Sequence, residues 1–266
     1  MGRIYRSIAC EACTFLPDVE ASRAGRVQWK APSRRGSRRR SHRARRRSRI
    51  ARQNGGDVGL GFYFDNARCT GCRTCVMACM DFHALEAGHL YRRVIDCEGG
   101  ETACGADGTC TTDAFAYHVS LACNHCDQPA CMEVCPTGAM HKDGLGLVQV
   151  DHMRCIGCGY CTIACPYHAP SIDPALHQSS KCDGCTSRVE AGKNPICVDA
   201  CPLRALGWGE RTDLAAAHAG EDLTYAVLPL PPSSYTYPNL TIHASAAARR
   251  AQEGDLAIAN VDELGF

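Results

Sequence analysis

No run of 18 or more apolar residues occurs in this 266-residue chain, so the sequence offers no membrane-spanning helix. Aromatic residues make up only 6% of it. It has no G-x-G-x-x-G after a strand-like run and no P-loop, which excludes the common nucleotide-binding frameworks. Its opening carries no secretory apolar segment. Nothing outside its cysteines suggests catalytic chemistry, so no catalytic residue is expected. Net charge is also nearly absent, at +1, but that balance hides two unlike parts. Residues 1–52 hold 16 of the 29 basic side chains against three acidic ones, and the remainder holds 13 basic against 25 acidic.

The basic head is best read apart from the body. Arg34 to Arg52 is an arginine-rich run with almost nothing to bury, so residues 1–57 are expected to be disordered. A nucleic-acid arm, a transit-like segment and a twin-arginine leader at Ser37-Arg38-Arg39 are the functional options. The leader lacks the apolar stretch that should follow its arginines. The preferred reading is a start assigned too far upstream, with the protein beginning near Val58 and having no nucleic-acid partner. Cys10 and Cys13 form a lone Cys-x-x-Cys, which carries little weight without a second pair.

What the sequence does have is cysteine, 21 in all. Sixteen fall into four quartets: Cys69, Cys72, Cys75, Cys79; Cys123, Cys126, Cys131, Cys135; Cys155, Cys158, Cys161, Cys165; and Cys182, Cys185, Cys197, Cys201. The first and third read C-x2-C-x2-C-x3-C, the second C-x2-C-x4-C-x3-C, the fourth C-x2-C-x11-C-x3-C. Proline follows Cys135, Cys165 and Cys201. Disulfide frameworks need no such repetition. A [4Fe–4S] cube takes three thiolates from one tight loop, and in the two-cluster bacterial pattern the fourth, before proline, serves the neighbouring cube. Zinc remains the rival, most of all for the fourth quartet, because its sites pair C-x2-C knuckles across a longer gap.

Between the quartets the sequence reads as short elements. Leu60–Asp65 and Phe115–Leu121 are expected strands. A helix should begin near Thr74, run toward Leu85 and stop around Gly88. Residues 90–115 read as a loop or hairpin. Its Cys97, Cys104 and Cys110 are ordinary free or paired cysteines, or less readily a fifth metal site. Asp143-Gly144 suggests a hairpin turn, with Leu145–Val150 returning. Thr186–Ala191 is an expected short helix, Leu206–Gly209 a closing strand, and Thr212–Gly220 a helix with Thr212 as N-cap and Gly220 as C′. Beyond it the proline-rich stretch lacks periodicity, so residues 211–266 are expected to be a short helix plus an extended tail, disordered or laid against a partner. His125 could donate a hydrogen bond to a cluster sulfide. His83, His118, His141, His152 and His168 read as surface or packing residues.

The stretches Cys-Thr-Gly-Cys-Arg-Thr-Cys (69–75), Cys-Asn-His-Cys-Asp-Gln-Pro-Ala-Cys (123–131), Cys-Pro-Thr-Gly-Ala-Met-His-Lys (135–142), Cys-Ile-Gly-Cys-Gly-Tyr-Cys (155–161) and Lys-Cys-Asp-Gly-Cys (181–185) carry a family resemblance. With Cys-Pro-Leu-Arg-Ala-Leu (201–206) and Pro238-Asn-Leu, they resemble the four-cluster iron–sulfur subunits of the dimethyl sulfoxide reductase family of molybdopterin oxidoreductases. The resemblance spans about residues 60–243. It implies an α+β fold of two nested two-cluster ferredoxin modules over 58–210. It also implies four [4Fe–4S] clusters, held by Cys69, Cys72, Cys75 with Cys201; by Cys182, Cys185, Cys197 with Cys79; by Cys123, Cys126, Cys131 with Cys165; and by Cys155, Cys158, Cys161 with Cys135. Asp151–Cys161 would then be a middle segment of the electron wire.

The implied role is electron transfer within a hetero-oligomer. A membrane anchor oxidises menaquinol, and a catalytic subunit with a bis-molybdopterin guanine dinucleotide receives the electrons. Membrane association would come through these partners, on the side set by the catalytic subunit, outside the cytoplasm. Relatives of this type serve polysulfide, tetrathionate and nitrite as well as dimethyl sulfoxide. A free polyferredoxin, and the electron subunit of a formate dehydrogenase or hydrogenase, are the alternatives.

Overall fold

The computed structural model describes residues 59–265. The arginine-rich segment, Cys10, Cys13 and the expected boundary near residue 57 lie outside the described residues. In sequence order run strand β1 (Leu60–Asp65), helix α1 (Thr74–Phe82), and strands β2 (Arg93–Gly99), β3 (Thr102–Cys104), β4 (Cys110–Thr112) and β5 (Phe115–Leu121). Helix α2 (Ala130–Glu133), strands β6 (Met140–Lys142) and β7 (Val148–Val150) and helix α3 (Tyr160–Ala164) follow. Next come β8 (Ser171–Ile172), β9 (Ser179–Ser180), helices α4 (Thr186–Glu190) and α5 (Ile196–Asp199), and β10 (Leu206–Glu210). Helix α6 (Arg211–Ala217), β11 (Leu223–Thr224), β12 (Leu240–His243), helix α7 (Ala246–Arg250) and β13 (Leu256–Ile258) complete the order.

Two sheets brace this mixed α and β architecture. The first has the order β10-β1-β12-β11. Its centre is β1, whose aromatic run is buried on both faces, as a continuous apolar strand should be. Phe62 sits opposite Trp208, with ring centroids 4.6 Å apart. The second sheet runs β13-β2-β5, with β2 and β5 antiparallel over seven residue pairs. One apolar core joins Phe62, Phe64, Val94, Ile95, Val119, Leu240 and Ile242 to cysteines of all four quartets, Cys165 alone from the third. A smaller cluster packs Met140 and Val148 around Cys131 and Cys161.

Three sequence expectations change. The tail is not merely extended. Residues 211–265 place β12 parallel to β1 and β13 antiparallel to β2, and they bury Val227, Leu230, Leu240, Ile242, Ala248 and Leu264. The physical reason is that these apolar side chains, too irregularly spaced to signal an element, complete sheets whose other strands lie far upstream. Residues 90–115 hold the seven-residue strand β2 besides a hairpin, and Cys104 and Cys110 close that exposed hairpin as a disulfide. Cys97 is buried in β2, so these three cysteines form no common metal site. Helix α1 stops before Leu85. Ala84 takes the left-handed conformation at φ 49°, and the N–H groups of Leu85 and Ala84 donate to the carbonyls of Met80 and Asp81 at 2.9 and 3.2 Å. That paired closure satisfies the last carbonyls of the helix.

The remaining elements fall close to where the pattern put them. Helix α6 begins one residue before Thr212 and has no side-chain cap. At the β6–β7 turn, the Asp143 carboxylate accepts N–H bonds from Leu145 and Leu147, both at 2.9 Å, so the returning strand starts only at Val148. Among the described residues, no helix is long and apolar enough to cross a membrane.

Candidate functional site

Each C-x2-C loop must curl its backbone to turn several sulfurs inward, and the dihedral angles show how. Gly71, Arg73, His125, Gly157, Gly159, Gly184 and Cys185 all have positive φ. Gly157 is the least replaceable, because a Cβ there would lie 2.1 Å from the His177 carbonyl oxygen. The C-x3-C ending then places two sulfurs one helical turn apart, on the same side of a short helix.

The sulfurs converge in groups that cross between quartets. Cys135 lines one cavity of about 330 Å³ with Cys155, Cys158 and Cys161. Cys165 lines another, of about 340 Å³, with Cys123, Cys126 and Cys131. Cys201 lines a third, of about 350 Å³, with Cys69, Cys72 and Cys75. Helices α1 and α5 pack together. They bring Cys79 and Cys197 toward Cys182 and Cys185, all four buried, and both Cys79 and Cys197 lie within electrostatic reach of the other two. Each group thus joins three cysteines of one quartet to the last cysteine of another. All sixteen are free of disulfides.

The donor chemistry fits a cationic cluster. Burial pushes the Cys79 and Cys126 thiols up to about 12, and Cys69 and Cys185 up to about 11. Burial raises the Cys182 thiol as well. Such thiols keep their protons at neutral pH until a metal takes their place. Polar groups stand ready around the sulfurs. The N–H groups of Gly184 and Ala205 approach Cys182 and Cys201 Sγ at 3.4 and 3.3 Å. The Ser179 N–H lies 3.4 Å from Cys155 Sγ, and its hydroxyl 3.2 Å from Cys161 Sγ.

The histidines divide sharply. His125 is fully buried. Its Nδ1 accepts the Val148 N–H at 3.0 Å, so the proton of the neutral ring sits on Nε2. Nε2 lies 3.9 Å from Cys182 Sγ. The ring N–H therefore faces a cysteine sulfur of another quartet. His83, expected to be a surface or packing residue, comes within 3.5 Å of Cys185 Sγ and 3.6 Å of Asp183. His118 pairs with Asp96 at 2.8 Å and packs against Gly71 of the first Cys-x2-Cys loop, and His152 pairs with Gln178 at 3.2 Å.

Three buried cations, Arg92, Arg93 and Lys181, have no role that the sequence reading foresees. Lys181 donates to the carbonyls of Val148 and Cys182. Arg92 lies beneath β1. The two arginines carry no sequence signal, since Tyr91-Arg92-Arg93 looks like ordinary surface, whereas Lys181 opens the Lys-Cys-Asp-Gly-Cys stretch that carries the resemblance.

Comparison with known proteins agrees with this geometry. Residues 114–211 match the 4Fe-4S dicluster domain family. The protein is 48% identical over 189 residues to the B subunit of anaerobic dimethyl sulfoxide reductase of Haemophilus influenzae, covering 71% of this chain and 91% of that one. It is 45% identical over 204 residues to the corresponding B subunit of Escherichia coli (strain K12), covering 77% and 98%. The thiosulfate reductase electron transfer subunit of Salmonella typhi is 40% identical over 146 residues, 54% of this chain and 72% of that one. With cysteines of different quartets brought together in common groups and reductase B subunits matched over nearly their whole length, this protein belongs to the family of iron–sulfur electron-transfer subunits typified by the B subunit of anaerobic dimethyl sulfoxide reductase.

Proposed function

We propose that the sixteen cysteines hold four [4Fe–4S] clusters in two nested ferredoxin modules. The ligand sets are Cys69, Cys72, Cys75 and Cys201; Cys182, Cys185, Cys197 and Cys79; Cys123, Cys126, Cys131 and Cys165; and Cys155, Cys158, Cys161 and Cys135. The observation that carries this reading is that three of these sets each line a single cavity. When bound, such clusters accept and release single electrons.

The protein's own elements suggest the order of the sets. Helix α1 carries both Cys75 and Cys79, which places the Cys69 set beside the Cys182 set. His125, from the Cys123 loop, reaches Cys182, which places the Cys123 set next. Helix α2 carries Cys131 and delivers Cys135 just beyond it, which puts the Cys155 set last. The exposures agree. Cys72 and Cys158, from the first and last sets, are the exposed cysteines among the sixteen, whereas every cysteine of the two inner sets is buried. Asp151–Cys161 then belongs to an end of the wire, not to its middle.

The function that follows is passage of electrons between two partners, one at each end. These are a quinol-oxidising membrane anchor and a molybdopterin catalytic subunit that reduces dimethyl sulfoxide or a related acceptor. Support comes from the relatives named as subunits of anaerobic dimethyl sulfoxide reductase. Exposed apolar side chains that share a cavity lining with the two exposed cysteines also favour docking: Ile156 with Cys158, and Leu203 with Cys72. The test is anaerobic purification of the native protein with an iron assay. About sixteen iron atoms per chain are expected for four cubes, together with a co-purifying molybdenum subunit. Far less iron would defeat the cluster assignment, and a lone, reversibly reducible monomer would defeat the complex.

A further inference from the structure

Arg92 is an unusual place for a guanidinium. Only 3% of it is exposed, and among the described residues no carboxylate lies within ion-pair distance of it. Its Nη1 donates to the Ser120 hydroxyl at 3.0 Å and more weakly to the Ser120 carbonyl at 3.4 Å. The guanidinium carbon stands 5.2 Å from the Phe62 ring centroid. Its Nε is buried and has no hydrogen-bond partner. Burying a cation costs several kcal/mol unless an opposite charge compensates it. A ring face and one serine are not enough.

Sulfur surrounds it instead. The groups that act on its charge are Cys197, Cys75, Cys182 and Cys79. Three belong to the Cys182 set and one to the Cys69 set. The Ser120 hydroxyl that accepts from Arg92 also lies 3.5 Å from Cys75 Sγ, so the guanidinium is linked to that sulfur through one side chain. Lys181, a second buried cation, neighbours Cys131 and Cys165 instead, and the buried Arg93 donates to the Leu264 and His168 carbonyls.

We propose that Arg92 is the shared counter-charge of the two cysteine sets containing Cys75 and Cys79, and that it raises the reduction potential of the cluster in each. The inference rests on the four-cluster reading. A cube with four thiolates carries net negative charge and gains one more negative charge on reduction, and cluster potentials follow net charge and surroundings. A fixed cation between two cubes therefore stabilises the reduced form of both. Burial of the guanidinium limits screening by solvent.

The experiment is a potentiometric titration of the full protein, purified anaerobically, with the reduced clusters read by electron paramagnetic resonance. Arg92→Met should lower two of the four potentials, each by at least a tenfold change in the reduction equilibrium, about 59 mV for one electron. The other two should hold. Arg92→Lys keeps the charge and should restore both potentials to within that interval. Ser120→Ala leaves the guanidinium in place and should lower only the potential of the Cys69 set, by less. It keeps the proposal testable should Arg92→Met fail to assemble. Unchanged potentials in Arg92→Met, or in Ser120→Ala where Arg92→Met does not assemble, would overturn the proposal. So would loss of clusters in Arg92→Lys, which would mark the residue as packing alone. The wild-type iron count separates the two levels, since far below about sixteen iron atoms removes the cluster reading itself, whatever Arg92 does.

Discussion

His125 connects two cysteine sets through a single ring. Its backbone belongs to the Cys123 loop, its Nδ1 holds the Val148 N–H, and its Nε2 faces Cys182. Asn239 fixes the loop from behind, donating to the His125 carbonyl at 2.7 Å. Replacing the ring with leucine would leave a buried N–H without its acceptor, which costs about 1–3 kcal/mol. His125→Leu is therefore expected to lower the thermal midpoint of the cluster-loaded protein, and to lower the potential of the Cys182 cluster by removing an N–H donor from its sulfur. Thermal melts and a redox titration check the two effects separately. At this scale the sequence is legible where chemistry is local. The spacing of Cys155, Cys158 and Cys161 is set by one loop, so it can be read directly. The surroundings of Arg92 come from β1, β5 and two helices, and nothing in Tyr91-Arg92-Arg93 encodes them. His83 was missed for the same reason, since Cys185 lies about 100 residues downstream of it.

Strands follow the same division. β1 and β5 coincide with the expected Leu60–Asp65 and Phe115–Leu121, because a dense aromatic and β-branched run announces a buried strand whatever its partner. β12 has only four residues, Leu240–His243, after a proline-rich approach. Its partner β1 is some 180 residues upstream and parallel to it. No local pattern reports such a pairing, and so the tail read as a segment without a core. Ile242 measures what the tail contributes. It is 0% exposed and stands opposite Phe64, also 0% exposed. Ile242→Ala should destabilise the protein by about 2–5 kcal/mol through lost burial and the cavity left behind. Val261→Ala, at a residue 55% exposed in the same tail, should stay within about 0.5 kcal/mol. Denaturant titration of both variants tests this. Equal, small effects would mean that the tail rests on the domain without stabilising it.

For the whole molecule, the proposed order of the sets runs from an exposed end, through two buried sets, to another exposed end. The arrangement suits a conductor, whose ends must approach partners while its middle stays dry. It also makes the four sets unequal as structural elements. The Cys155 set borders the small apolar cluster around Met140 and Val148, and Cys158 is exposed. Cys182 lies in the main core with Phe64 and Ile242, next to Arg92, Lys181 and His125. Loss of a ligand at an end should be local, whereas loss in the middle leaves buried cations without their counter-charge, a strongly destabilising change. Cys158→Ser is expected to reduce the iron content by up to about four atoms, one cube's worth, with the circular dichroism spectrum unchanged. Cys182→Ser should remove more than one cube's iron and broaden or abolish the thermal transition. If both variants lost the same iron and kept the same melting profile, the inner and outer sets would be structurally equivalent, and the burial gradient along the wire would have no bearing on how the clusters hold the fold.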